Sequence, residues 1–265
     1  MSFMKFPELH EDLDILKFYN LIGRYNPNEL LNMINELNPT IDTLVGLSKF
    51  LKAESRDKNS VSYEKATEYF ENFYRNSLVF KKIIDNTLDL NKLESCCFTL
   101  NLSNINLVSS VKNVVDSFEN VIKSKEVSLE FINHMDKSFI ACDEEKLQKI
   151  VFNLIYNSVK YTNKNDKIII SIKEKDNKIY ICVEDTGIGI PSDELPKIFD
   201  KFFQGSTSIS EMDKGMGAGL FIVNKFVKIL DGKIYVYSKP NKGTKIMIEL
   251  PFFLIEKPCK KLVAI

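Results

Sequence analysis

Apolar side chains between Asn28 and about Glu54 fall at Leu30, Ile34, Leu37, Ile41, Leu44 and Leu51, in alternating steps of four and three, with Ser48 filling the gap. That spacing predicts a helix with a heptad seam. A second stretch, from about Ser62 to Glu94, repeats it with Tyr69, Phe73, Phe80, Ile83 and Leu90, and sets Asn76 and Thr87 at seam positions between them. The run Ser55-Arg56-Asp57-Lys58-Asn59-Ser60 separates the two and reads as a polar turn. Two long amphipathic helices joined this way form an antiparallel hairpin. One hairpin cannot cover both sides of such a stripe, so pairing with a second into a four-helix bundle is expected. Pro39 deletes a backbone donor and kinks the first helix, and Gly46 loosens it again further on.

After Cys96-Cys97 the period changes to that of mixed strands and helices. Helices are predicted near residues 106–123 and over 143–161. Strand-like runs lie near 127–133, 139–141, 167–173 and 178–184, the last two alternating around an Asp176-Asn177 turn. Residues 233–238 are expected to pair with 245–250 across Pro240-Asn241-Lys242-Gly243. The organisation predicted is a short N-terminal segment (1–27), a helical hairpin (28–94), a sheet covered by helices (98–255) and a C-terminal tail (256–265).

The 265-residue length has room for about two such domains. Thirty-six basic and 36 acidic side chains cancel, which argues against a bulk polycation for nucleic acid or anionic membrane. With 44% apolar and 27% charged residues and only ten Gly and eight Pro, the chain reads as ordered and globular. Its five Cys, at 96, 97, 142, 182 and 259, lack metal-ligand spacing, and their odd number suits a reducing cytosol. Two His leave little material for a His-based metal site. No apolar run approaches the ~18 residues that span a bilayer, and Met-Ser-Phe-Met-Lys lacks a signal peptide's apolar core. A cytoplasmic protein without membrane insertion is expected.

Three features carry chemistry. On the predicted helix 143–161, Leu147, Ile150, Val151 and Leu154 share one face, and Asn153, Asn157 and Lys160 form a polar stripe beside it. Carboxamide oxygens suit a Mg²⁺ that keeps most of its coordination from phosphate and water, and a lysine one turn on neutralises phosphate charge. Next, Val183-Glu184-Asp185-Thr186-Gly187-Ile188-Gly189-Ile190-Pro191 places an acid at a strand end before a turn with two glycines. Then Lys214-Gly215-Met216-Gly217-Ala218-Gly219-Leu220-Phe221 leads three glycines into an apolar helix, which is anion-binding geometry. It is not a Walker A loop, because no Gly-Lys-Ser/Thr follows. Each feature alone also reads as ordinary structure.

Together and in order, these stretches resemble the boxes of sensor histidine kinases. Asn153-Leu154-Ile155-Tyr156-Asn157-Ser158-Val159-Lys160-Tyr161-Thr162 looks like the N box and Asp185-Thr186-Gly187-Ile188-Gly189-Ile190 the G1 box. Ile198-Phe199-Asp200-Lys201-Phe202-Phe203 looks like the F box and Gly215-Met216-Gly217-Ala218-Gly219 the G2 box. The resemblance covers about 28–252, because the hairpin matches the family's dimerisation and histidine-phosphotransfer domain. It implies a four-helix dimer bundle followed by a Bergerat-type α/β sandwich that binds ATP and Mg²⁺. By that pattern Asn157 coordinates Mg²⁺ with Asn153 beside it, Lys160 reaches the phosphates, Tyr161 packs near the adenine, and Asp185 accepts its amino hydrogen bond. Gly187 and Gly189 let the chain close under the base. Gly215, Gly217 and Gly219 approach the phosphates and hinge a lid at about 204–214. Ile190, Phe199, Phe203, Leu220 and Thr244 complete the implied site, and Gln204 stands where many relatives carry an arginine near the γ-phosphate.

The larger departure is in the first helix. The family reads His-Glu-Leu-Arg-Thr-Pro-Leu, and this chain has Asn35-Glu36-Leu37-Asn38-Pro39-Thr40-Ile41. Asn35 replaces the phosphoacceptor His. An amide nitrogen delocalises its lone pair and offers no nucleophile to a γ-phosphate, and Glu36, the implied acid/base, has no imidazole to orient. His10 lies ahead of the matching hairpin, and His134 reads as a surface residue. An engineered change at position 35 gives the same sequence as a natural one. Two readings stand: a histidine-kinase-family protein, dimeric, acting with a response regulator or phosphorelay protein and impaired in autophosphorylation; or a pseudokinase that binds ATP and pairs with another histidine kinase. A different Bergerat ATPase keeps the glycine boxes but lacks the upstream hairpin.

Overall fold

In a computed structural model of the chain, the described residues are 41, 45, 46, 48, 82–93, 97–135, 138–206 and 217–264. Most of the predicted hairpin, including Asn35 and Glu36, lies outside them, as do His10, Gly215 and most of the expected lid.

Residues 82–93 form helix α1. Its seam residues Ile83 and Leu90 are fully buried and belong to the same apolar cluster as the sheet domain that follows. Thr87, the polar residue at the seam, is satisfied within the helix, its hydroxyl donating to the Ile83 carbonyl at 2.8 Å.

The sheet domain has two sheets. The larger combines β2 (Ser128–His134), β4 (Lys167–Lys175), β5 (Lys178–Asp185), β6 (Lys233–Lys239) and β7 (Gly243–Pro251) in the order β2-β4-β5-β7-β6. Only β2 and β4 run parallel. The β4–β5 connection is the two-residue turn expected from the sequence, with Asp176 and Asn177 both at positive φ. Alternate residues of three strands, Ile168, Ile170 and Ile172, then Ile179, Ile181 and Val183, then Ile246, Ile248 and Leu250, are buried. They share one cluster with Leu147, Ile150, Val151, Leu154 and Ile155 of α4 (Glu144–Tyr161) and with Ile222, Val223, Phe226 and Val227 of α5 (Gly219–Ile229). β-Branched residues on the inner face and a 3.6-residue stripe on the helices produce this two-layer packing.

The expected helix over 106–123 is two helices, α2 (Leu107–Ser117) and α3 (Glu119–Ser124). They part at Phe118, whose ring turns inward to 4.9 Å from that of Phe152, while its N–H reaches back only three residues to Val115. Asn106 caps α2 by accepting from Ser109 N at 3.0 Å. Asp143 caps α4, accepting from Lys146 N, and its other oxygen accepts from Asn101 N at 2.8 Å, which fixes the helix start against β1 (Cys97–Asn106). That strand was not expected. It pairs with β3 (Phe139–Cys142) on one side and on the other with β8 (Cys259–Ala264), which replaces the expected tail.

Candidate functional site

One face of the C-terminal half of α4 carries Tyr156, Asn157, Lys160 and Tyr161, which i, i+3 and i+4 spacing brings together. These residues wall a cavity of about 150 Å³. The end of β5, the turn after it, residues 203–205 and the start of α5 close the other sides.

Asp185 ends β5, in register with Ile168 on one side and Thr244 on the other, and is 8% exposed. Its Oδ1 accepts from Gly187 N at 3.0 Å and Thr244 N at 3.2 Å, and Oδ2 accepts from Ser158 Oγ at 3.0 Å. Burial pushes its carboxyl above the ordinary carboxylate value, against the pull of these three donors. The result is an oriented acceptor in a cavity also lined by the apolar side chains of Val183, Ile188 and Ile246.

The turn after Asp185 is fixed to the end of β6 and the β6–β7 connection, with Asn241 N donating to Ile188 O at 2.7 Å and Ile190 N to Ser238 Oγ at 2.9 Å. Gly189 has φ +68°, and a Cβ there would stand 2.0 Å from the Lys239 carbonyl oxygen, so only glycine permits this closure. Gly217, at φ +70°, is constrained in the same way by the Phe203 carbonyl. Glu194 accepts from the Ser206 N–H at 2.8 Å and from the Ser206 hydroxyl.

Of the residues singled out in the sequence, Asn157, Lys160, Tyr161, Asp185, Gly189, Ile190, Phe203, Gly217, Gly219, Leu220 and Thr244 line the cavity, and so does Gln204. Gly187 acts one step back, through its N–H to Asp185. Phe199 is half-buried outside the lining. Asn153 faces inward: its amide donates to the Lys149 carbonyl at 2.9 Å, and its Oδ1 is a buried oxygen without a hydrogen-bond partner, aimed at Gly219. Asn35, Glu36 and Gly215 lie outside the described residues. Sequence reasoning missed Ser158, although a hydroxyl on the apolar face of a helix signals a partner. It also missed Lys82, Asn86 and Glu194, which carry no such signal.

Residues 142–253 match the family of histidine kinase-, DNA gyrase B-, and HSP90-like ATPases. The chain is 30% identical over 226 residues to hybrid signal transduction histidine kinase D of Dictyostelium discoideum, an alignment covering 83% of this chain and 14% of that protein. It is 31% identical over 175 residues to sensor histidine kinase WalK of Bacillus subtilis, covering 64% of this chain and 28% of that one. The solved catalytic domain of histidine kinase ThkA superposes with a TM-score of 0.50 at 25% identity, covering 57% of this chain and 95% of that domain. The sheet domain is an α/β ATPase sandwich. It is typical of histidine kinase catalytic domains, and the alignments span only 14% and 28% of the length of the two relatives.

The cavity fits a nucleotide with a hard divalent cation. Asp185 offers an oriented acceptor, Lys160 a cation and Asn157 a neutral oxygen donor in the lining, while the buried, unpartnered oxygen of Asn153 lies outside the lining, against Gly219 at the start of α5. Among the described residues no group of three or more His, Cys, Asp or Glu could hold a metal, so a cation here relies on carboxamide, water and ligand oxygens. No helix among them is long and apolar enough to cross a membrane.

Proposed function

We propose that this chain binds ATP with Mg²⁺ in the cavity, as the nucleotide-binding part of a dimeric two-component signalling protein, and that its autophosphorylation is impaired because Asn35 occupies the acceptor position. The observation that carries the nucleotide reading is Asp185, a buried carboxylate with both oxygens oriented by Ser158, Gly187 and Thr244. In this reading it accepts the amino group of the base, and the apolar side chains of Val183, Ile188 and Ile246 take the ring. Asn157, with Asn153 beside it, would hold Mg²⁺, which when bound neutralises phosphate charge. Lys160 supplies a further positive charge, and the N-terminus of α5 presents backbone N–H groups to the same phosphates.

The partner in this reading is a second copy of the chain through the predicted hairpin, and a response regulator or phosphorelay protein receives the signal. A second reading, a pseudokinase that binds ATP and pairs with another histidine kinase, is favoured by Asn35 itself.

Incubation with γ-labelled ATP tests both. The unmodified chain should bind ATP and acquire no acid-labile, base-stable label. Asn35→His should gain such a label, incompletely, because Asn38-Pro39-Thr40 shifts the helix kink by one residue, roughly 100° of helical phase. Strong labelling of the unmodified chain, with the phosphate on His10, would overturn the assignment of the acceptor helix.

A further inference from the structure

Helix α1 precedes the ATPase domain and belongs to none of its boxes, yet it lies against the nucleotide cavity. Beside the burial of Ile83 and Leu90, two polar contacts tie it to α4. The Asp89 carboxylate, 1% exposed, receives both of its short contacts from Lys149 Nζ, at 2.7 and 2.8 Å. Lys149 also pairs with Glu145 at 3.2 Å. Burial lifts the Asp89 carboxyl above its ordinary value even against this lysine. For Lys149, burial acts downward, but the two carboxylates outweigh it and hold the ammonium above its ordinary range. With both Asp89 oxygens within 2.8 Å of one ammonium, the charged pair is the form the geometry describes.

The second contact is Lys82, whose ammonium lies 3.2 Å from the centre of the Tyr156 ring. That ring is fixed in turn: it stacks on Phe152 at 6.3 Å, and Phe152 tilts against Phe118 at 4.9 Å. Tyr156 and Lys160 are one turn apart on α4, and Lys82, Tyr156, Asn157 and Lys160 all line the cavity. This wall carries two ammonium groups and a carboxamide. A heterocyclic base has no use for two cations in one wall, whereas a polyphosphate does.

We infer that Lys82 is a further nucleotide-binding residue, supplied by the upstream helix, which faces the polyphosphate of a bound nucleoside triphosphate, and that Asp89 is the positioning residue that holds it there. The inference rests on the nucleotide reading above. It makes docking of α1 on α4 and binding of the triphosphate reciprocal: whatever draws the helix away weakens the triphosphate, and the triphosphate favours the docked helix by the same factor.

The test is calorimetry on the full chain with ATP and with adenosine, each with Mg²⁺. Lys82→Met should weaken ATP about tenfold, the size of one charge-assisted contact, and leave adenosine within about twofold. Lys82→Arg, which keeps the charge, should retain most of the affinity. Asp89→Asn should weaken ATP and spare adenosine, a selectivity that general loss of structure would not give, and its effect should not add to that of Lys82→Met. Unchanged ATP affinity in Lys82→Met, or equal losses for ATP and adenosine, would overturn the inference. An unmodified chain that binds neither ligand overturns the nucleotide reading instead, so the two failures are distinct.

Discussion

Replacing Asp185 by Asn should separate recognition from folding. In the unmodified chain Oδ1 takes the N–H groups of Gly187 and Thr244 at 3.0 and 3.2 Å, and Oδ2 takes the Ser158 hydroxyl at 3.0 Å. Asparagine has the same shape. Its oxygen keeps both backbone donors, its NH₂ stands in place of Oδ2, and the Ser158 hydroxyl rotates to accept from it. The internal bonds therefore survive, and a buried charge disappears. Because burial raises the carboxyl above its ordinary 3.8, ionised Asp185 weighs against the ligand-free fold at neutral pH. The favourable contribution is complete only below the unfolded-state value and is lost as pH rises through the folded-state value. Asp185→Asn should accordingly melt at or above the temperature of the unmodified chain at pH 7. The ligand sees the opposite: an amino group that met a carboxylate now meets another donor. Loss of that charge-assisted bond is worth about 1.5–3 kcal/mol, or roughly 10- to 150-fold in Kd. Calorimetry with ATP at pH 7, with thermal melts beside it, measures both. The unmodified chain should also lose ATP affinity on acidification earlier than an ordinary aspartate predicts, a loss the variant lacks. An ATP affinity within about threefold of the unmodified chain would refute the argument, and so would a variant that melts far lower.

Gly189→Ala should cost on the order of 3 kcal/mol in chemical denaturation, because it adds left-handed backbone strain to a collision with the Lys239 carbonyl; a change below about 1 kcal/mol would contradict the geometry. Phe226→Ala, at a fully buried position whose ring lies 5.9 Å from that of Phe98, should cost about 3–5 kcal/mol by the same measurement. Light scattering should return twice the 30.5 kDa chain mass. Lys at both Ile41 and Val45, helical residues that are 40% and 44% exposed in the single chain, should lower it to that of one chain.

Where a pattern was local, the sequence was enough. The stripe on α4, the Asp176-Asn177 turn and the β6–β7 pair all follow from residues a few positions apart, and the folded elements differ from expectation by only one or two residues at most ends. β1 and β8 were not foreseen because their partnership joins Cys97 to Ala264 across the whole domain, and Cys259–Ala264 has no alternation of its own. The break at Phe118 was hidden because Ser117-Phe118-Glu119 is compatible with a helix. It is set by the distant Phe152 ring. Asp185 and its glycines were legible as a turn of special composition, whereas Lys82 was not: a lysine on an amphipathic helix reads as solvated until the neighbouring helix brings Tyr156 beneath it.

The pairing of β1 with β8 decides how the domain meets a mechanical load. Cys97 and Ala264 are register partners, so the start of β1 and the end of β8 sit side by side at one end of the same antiparallel pair. Tension applied between them acts across the strands. It loads the hydrogen bonds one after another from that end, in the manner of a zipper, instead of all together as in shear. A pull on this pair should detach β8 at low force while the five-stranded sheet, which it does not join, stays closed. The same adjacency means that a short linker from residue 264 back to residue 97 closes the domain into a ring, which can be reopened at an exposed turn such as Asp176-Asn177.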